Sequence, residues 1–167
     1  MLIALSVQPQ NAEESLQTLL DAYFEKKDHI RCQTEGCNQQ VQRLTKEEVV
    51  NPESAIVLSI NRQGENPMWK RVPVEQRRLY PGVKINRRVP LPNTVNVPIS
   101  GGGTVTYEVT SAIEHSGEHT AGGHYIAHLK SNGEWFTAND DKALRKSAVY
   151  KDYHPEQSAI ILLKIQN

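Results

Sequence analysis

Apolar residues alternate weakly with polar ones at the amino terminus of this chain, and that period of two predicts a strand. Ile3, Leu5 and Val7 mark a first strand over Leu2 to Val7, which ends at the turn signal Gln8-Pro9. The period then lengthens. Ala12, Leu16, Leu19, Leu20, Tyr23 and Phe24 recur at helical spacing, Asn11 and Glu14 have the arrangement of a capping box, and Glu25-Lys26-Lys27-Asp28 closes the helix. From His29 to Val50 short polar stretches surround Cys32-Gln33-Thr34-Glu35-Gly36-Cys37, the pattern of an exposed hairpin. Ala55 to Ile60 is a β-favouring run and predicts a central strand buried on both faces.

Between Asn61 and Ser100 lie Pro67, Pro73, Pro81, Pro90, Pro92 and Pro98. Each removes an amide donor and fixes φ, so edge strands and irregular loops are expected there rather than helix. Past Gly101-Gly102-Gly103 come four β-favouring runs, at 104–115, 124–130, 134–140 and 158–166, each bounded by Gly, Asn or Pro. Their short links predict an antiparallel sheet, with one turn of helix over Asp141 to Ser147. The chain shows no internal repeat, low-complexity tract or linker. The expected architecture is α+β: one domain over residues 1–167, mainly antiparallel sheet, with one amino-terminal amphipathic helix.

Composition narrows the function classes. The 167 residues carry 19 Lys+Arg against 19 Asp+Glu, so no global field draws the chain to nucleic acid or anionic lipid. Mean hydropathy is -0.55 and no apolar run approaches the ~20 residues a bilayer requires. The expected partners therefore include neither nucleic acid nor membrane. The first ten residues lack a basic flank and a cleavage site, and two cysteines four residues apart do not make a disulfide framework. The cytoplasm or nucleus is the expected compartment. Arg71, Arg77, Arg78, Arg87 and Arg88 form a local positive patch that reads as a solvated face.

Candidate chemistry concentrates between Glu114 and Asp141. Gly122-Gly123 directly before His124 lets the backbone pack tightly and leaves the imidazole at the mouth of a strand, where a substrate can approach. His124 is the candidate base. A catalytic imidazole needs a partner for its second nitrogen, and Asn139 or Asp140 on the next strand lies across a hairpin of suitable length. His115, His119 and His124 could also be read as metal ligands, but the glycines disfavour the helix that His115 and His119 would need, and no metal is expected.

The order Tyr107 to Gly117, then Gly122-Gly123-His124-Tyr125-Ile126-Ala127, Trp135, Asn139-Asp140 and a closing Ala159 to Leu163 resembles the histidine box of ubiquitin-specific proteases. These are cysteine peptidases with a thumb, palm and fingers. The resemblance implies a palm-and-fingers fold, with residues from about 28 to 50 as the fingers and the remainder as the palm. By position, it makes His124 the general base, Asn139 the residue that orients it, and Asp140 the acidic residue near the oxyanion region. His115, Gly122, Gly123 and Tyr125 fall in the loop that covers the ubiquitin tail, where glycines suit a channel built for a Gly-Gly tail.

The family's nucleophile lies in a helical thumb segment rich in Gly, Asn, Thr and Cys, and these 167 residues hold no such segment. Cys32 and Cys37 occupy the place of half a fingers zinc site; with His29 they reach three ligands, short of tetrahedral closure, so no cofactor is expected. The expectation is a fragment, a split half or a natural truncation that is inactive alone. Its partners would be ubiquitin or a ubiquitin-like protein, and a thumb-containing chain or segment. The alternative is a non-catalytic ubiquitin-binding or scaffold module; a third reading keeps the fold for another ligand, with His124 and Asn139 a mere hydrogen-bonded pair.

Overall fold

The computed structural model describes residues 1–7, 13–37, 39–80, 82–119, 122–147 and 153–166. Its strands are β1 (Leu2–Ser6), β2 (Glu25–Arg31), β3 (Gln40–Lys46), β4 (Ala55–Asn61), β5 (Gln63–Gly64), β6 (Val83–Lys84), β7 (Thr94–Pro98), β8 (Thr104–His119), β9 (Gly122–Ser131), β10 (Glu134–Ala138), β11 (Arg145–Ser147) and β12 (Ser158–Ile165). One α-helix, α1 (Leu16–Phe24), follows β1. The main sheet runs β1-β4-β12-β8-β9-β10-β11, with β5, β6 and β7 attached at its side, and β2 and β3 form a separate hairpin. Among the described strands of the main sheet, β1 and β4 pair in parallel and the other pairs are antiparallel. The α+β class expected from the sequence is the class observed.

Helix α1 starts at Ser15 rather than Asn11. The Ser15 hydroxyl accepts the Thr18 amide at 3.0 Å, a side-chain N-cap, while Gln8 to Ala12, with the expected turn and cap, lie outside the described residues. Leu16, Leu19, Leu20 and Phe24 are buried and join Ile3, Leu5, Ile56, Leu58, Ile161 and Leu163 in one core. The helix ends where Glu25 turns extended, and the chain runs straight into β2. β4 alternates buried and half-buried residues, so one of its faces is only partly covered, not both sealed as expected. The proline-rich stretch holds short strands and two 3-10 turns, Pro67–Lys70 and Val74–Leu79. The segment expected to form a turn of helix instead supplies β11, because Arg145, Lys146 and Ser147 find partners along the free edge of β10.

Register sorts the two faces. One row reads Ile3, Leu58, Ile161, Ala112, His128, Thr137, Arg145 across seven strands, and its first five members are buried. The opposite face carries Leu2, Val57, Leu162, Ser111, Leu129, Phe136 and Lys146, with Ala4, Ser59, Ile160, Ile113, Ala127 and Ala138 one step along. That face is apolar yet open: Leu2 is 69% and Leu129 42% exposed, and the residues between them are only half-buried. A bulge at Thr110, where Leu162 faces Ser111 but Leu163 faces Val109, shifts the buried set of β8 from Tyr107 and Val109 to Ala112 and Glu114.

Arg62, at the end of β4, binds this architecture together. Its guanidinium is buried and donates to the carbonyls of Ser158 (2.6 Å), Ile85 (3.0 Å), Arg87 (2.6 Å) and Pro155 (2.8 Å) and to the Ser158 hydroxyl. Burial pushes its pKa down to about 10, far enough above neutrality to keep it a cation. Arg87 is buried too and pairs with Glu14 at 2.6 Å, which removes it from the solvated patch expected from the sequence.

The two faces predict different mutational costs. Ile161→Ala, on the sealed face, is expected to cost about 2–5 kcal/mol in urea unfolding, and Leu2→Ala, on the open one, about 0.5 kcal/mol or less. A large loss from Leu2→Ala would mean that the second face is sealed after all.

Candidate functional site

The β9–β10 hairpin closes through Asn132 and Gly133, both with positive φ (51° and 78°), the two-residue turn that an Asn-Gly pair favours. It sets the register that brings together two residues fifteen positions apart. His124 stands opposite Ser116 near the start of β9, and Asn139 follows the last residue of β10. Asp140 then adopts a left-handed conformation (φ 48°), and the Lys142 amide returns to the Asn139 carbonyl at 3.1 Å.

His124 Nε2 lies 2.6 Å from Asn139 Oδ1. A carboxamide oxygen only accepts, so Nε2 carries the proton and Nδ1 keeps its lone pair. The Asp140 carboxylate is 3.8 Å from the same Nε2 and forms an ion pair once the ring is protonated. Its side chain is 72% exposed, so solvent screens much of that attraction. The imidazole is 45% exposed. The arrangement is a part-open imidazole, fixed in one tautomer, with a free basic nitrogen: the geometry of a general base.

The second group of residues forms a cleft of about 270 Å³ lined by Arg62, Gln63, Lys84, His115 and Tyr125. The His115 ring is buried and lies against Tyr125, with centroids 4.7 Å apart and the planes tilted by 38°. Lys84 Nζ donates to the His115 carbonyl and, at 3.2 Å, to that of Gly117. Burial, reinforced by the Lys84 cation, holds the His115 pKa below the usual imidazole value. Residues His115 to Gly123 are not the loop expected: β8 continues to His119 and pairs Ser116 with His124 and His119 with Gly122, while Thr120 and Ala121 lie outside the described residues. Gly123 answers to a neighbour in its own chain, since a Cβ there would collide with the Ser116 carbonyl and the His115 ring; Gly122 has open space around it.

Sequence reading missed a buried polar pair behind Asn139. Glu114 accepts the His154 amide at 2.8 Å and lies 3.6 Å from His128 Nε2, while His128 Nδ1 is 3.2 Å from the Thr137 hydroxyl, two residues before Asn139. Both side chains are essentially inaccessible. The bulge at Thr110 hid Glu114, because simple alternation from Tyr107 would have pointed it outward.

Cys32 and Cys37 flank the turn of the β2–β3 hairpin, outside the sheet that carries His124. Hydrogen bonds from the Thr34 hydroxyl and amide and from the Cys37 thiol hold Cys32 below the usual thiol range. Among the described residues no three His, Cys, Asp or Glu side chains come together as a metal cluster, and no helix is long and apolar enough to cross a membrane.

Gly123→Ala is expected to open the β8–β9 end, accelerating amide exchange at Ser116 and His124, whereas Gly122→Ala leaves exchange unchanged. Equal effects would remove the steric account. Because the folded His115 pKa is depressed, its contribution to stability is complete above the unfolded value of ~6.5 and is lost as pH falls through the lower folded value. In urea unfolding from pH 7 downward, His115→Phe, which retains a ring against Tyr125, should flatten part of the acid loss; an unchanged profile would contradict the assignment.

The profile of the ubiquitin carboxyl-terminal hydrolase family matches residues 4–163. Ubiquitin carboxyl-terminal hydrolase 13 from Homo sapiens is 42% identical over 50 residues, which is 30% of this chain and 6% of that protein; its Mus musculus counterpart is 38% identical over 50 residues, with the same coverage. A yeast SAGA DUB module with an Sgf73 mutant matches 99% of this chain and 35% of its own at a TM-score of 0.71 and 20% identity. The SAGA Ubp8/Sgf11/Sus1/Sgf73 DUB module bound to ubiquitin aldehyde matches 99% and 36% at 0.70 and 20%. This chain thus spans about a third of the structural relatives' chains and a small part of the curated proteins. The family match covers nearly its whole length, and the chain belongs to the ubiquitin carboxyl-terminal hydrolase family of cysteine peptidases.

Proposed function

We propose that this chain is the His-Asn half of a thiol-dependent deubiquitinase and needs a nucleophilic cysteine from a thumb segment, on the same protein or on a partner. The observation that carries the reading is the 2.6 Å contact between His124 Nε2 and Asn139 Oδ1, which reserves Nδ1 for a thiol. His124 Nδ1 takes the thiol proton. The thiolate attacks the carbonyl of ubiquitin's last glycine, and the imidazolium, steadied by Asn139 and Asp140, returns the proton to the departing amine. Water then releases the acyl group with His124 again as base. Asn139 orients the ring but, being uncharged, stabilises imidazolium less than a carboxylate would.

His115, Gly122, Gly123 and Tyr125 are assigned to the channel for the ubiquitin tail, supported by the convergence of His115 and Tyr125 with Lys84 and Arg62 on one cleft. The open apolar face of the main sheet supports the missing half: a contiguous apolar surface of this extent usually meets a partner, and helices of a thumb fit it. In this reading residues 1–167 are one thumbless domain with residues 28–50 as its fingers, and it works in the cytoplasm or nucleus. The SAGA DUB module that was solved with ubiquitin aldehyde is the precedent among the relatives for ubiquitin as partner.

The test uses isotope-labelled chain. Titration with ubiquitin is expected to shift the amides of Gly122, Gly123 and Tyr125, and ubiquitin lacking its two terminal glycines is expected to leave them in place. A ubiquitin probe with a carboxyl-terminal electrophile should leave this stretch of chain unlabelled. Labelling at Cys32 or Cys37, or equal shifts with the truncated ubiquitin, would refute the proposal.

A further inference from the structure

The β5–β6 hairpin carries an insert that neither the core nor the candidate site uses. Two 3-10 turns fill it, and its shape is held in place. Asn66 Oδ1 accepts the Met68 amide at 2.9 Å, and Trp69 Nε1 donates to the Tyr80 carbonyl at 2.7 Å across the insert. Pro67 and Pro73 fix φ where each turn begins. A surface ordered in this way loses little conformational entropy on binding.

Lys70, Arg71, Arg77 and Arg78 all stand exposed on this frame, against two carboxylates, Glu65 and Glu75, in residues 65–82. Most of the chain's other surface cations have partners: Lys26 pairs with Glu47, Arg43 with Asp28, Lys130 with Glu108 and Lys146 with Glu134. Among the described residues none of the four insert cations has a carboxylate within ion-pair distance. A chain of zero net charge thus concentrates uncompensated positive charge on one short segment. Val74 and Leu79 project from the same segment, 71% and 68% exposed.

We propose that this insert is a docking surface for an acidic polypeptide segment that also carries an aliphatic side chain. The four cations supply the charge complementarity and Val74 and Leu79 the apolar contact. Single-stranded nucleic acid fits less well, because base stacking needs an open aromatic face and the insert's Trp69 is half-buried, with its indole N–H bound to Tyr80. The base of the hairpin is a pair of residues, Gln63 and Lys84, that also line the cleft of His115 and Tyr125. The insert therefore springs from the rim of that cleft. Its consequence, a preference for conjugated proteins with acidic segments, rests on the deubiquitinase reading; the docking itself does not.

The experiment measures fluorescence anisotropy of a fluorescein-labelled octapeptide of Glu and Asp with one central Leu, titrated with the full chain. Binding is expected at about 50 mM salt and is expected to weaken at about 300 mM, as screening of exposed charges requires. Arg77→Glu with Arg78→Glu should weaken it about 10-fold or more, and Val74→Ser with Leu79→Ser about 3-fold, with the amide spectrum of the main sheet unchanged in both. Reversal at Arg43, on the separate β2–β3 hairpin, should have no effect. Equal affinity for the Arg77/Arg78 variant, no binding at low salt, or tighter binding of a single-stranded RNA octamer would overturn the proposal. None of these outcomes depends on ubiquitin, so failure here and failure of the functional reading are separable.

Discussion

The pairing of β8 with β12 on one edge and β9 on the other determines where every candidate group stands. β8 spans sixteen residues and also pairs with β6 and β7. Its bulge at Thr110 switches which side chains face the core, so that Glu114 turns inward and His115 turns towards Tyr125. Without that extra residue the register would move each of them to the opposite face. The hairpin from β9 to β10 sets its own register at Asn132-Gly133 and delivers Asn139 to His124.

Polar groups buried in a sheet are tolerated only when their partners are arranged in advance. Arg62 meets this condition with five acceptors drawn from two separate segments, which makes it a joint between the end of β4, the stretch before β7 and the start of β12. The Glu114–His128 pair is less complete, since His128 Nε2 lacks a partner within hydrogen-bond distance and sits 3.6 Å from the Glu114 carboxylate. It lies directly behind the strand that presents Asn139. The same sheet thus has one side organised by apolar packing and buried ions and another left apolar and open, an asymmetry that fits one part of a larger assembly.

Much of this was legible in the sequence because strands announce themselves by alternation or by β-favouring runs between turn residues. β1 could be read in the first way and β4, β8, β9, β10 and β12 in the second, and His124 and Asn139 stand out from the glycines and the hairpin between them. The failures have physical causes. Asn11 and Ser15 are both of a type that caps helices, and the helix begins after Ser15, whose hydroxyl accepts the Thr18 amide. β11 has no β-favouring composition; edge pairing with β10 makes it a strand. Arg87 looked like its exposed neighbours until Glu14 was brought against it from a distant part of the chain. Bulges, edge pairing and long-range ion pairs all depend on tertiary contacts that a local pattern does not carry.

The account depends most directly on the proton of one imidazole. Long-range proton–nitrogen correlation spectra of the labelled chain above the titration range of histidine report which nitrogen of His124 is protonated. The account predicts the Nε2–H tautomer, with an unprotonated Nδ1, and loss of that preference in Asn139→Ala. A His124 ring protonated on Nδ1, or one whose tautomer is indifferent to Asn139, would contradict it.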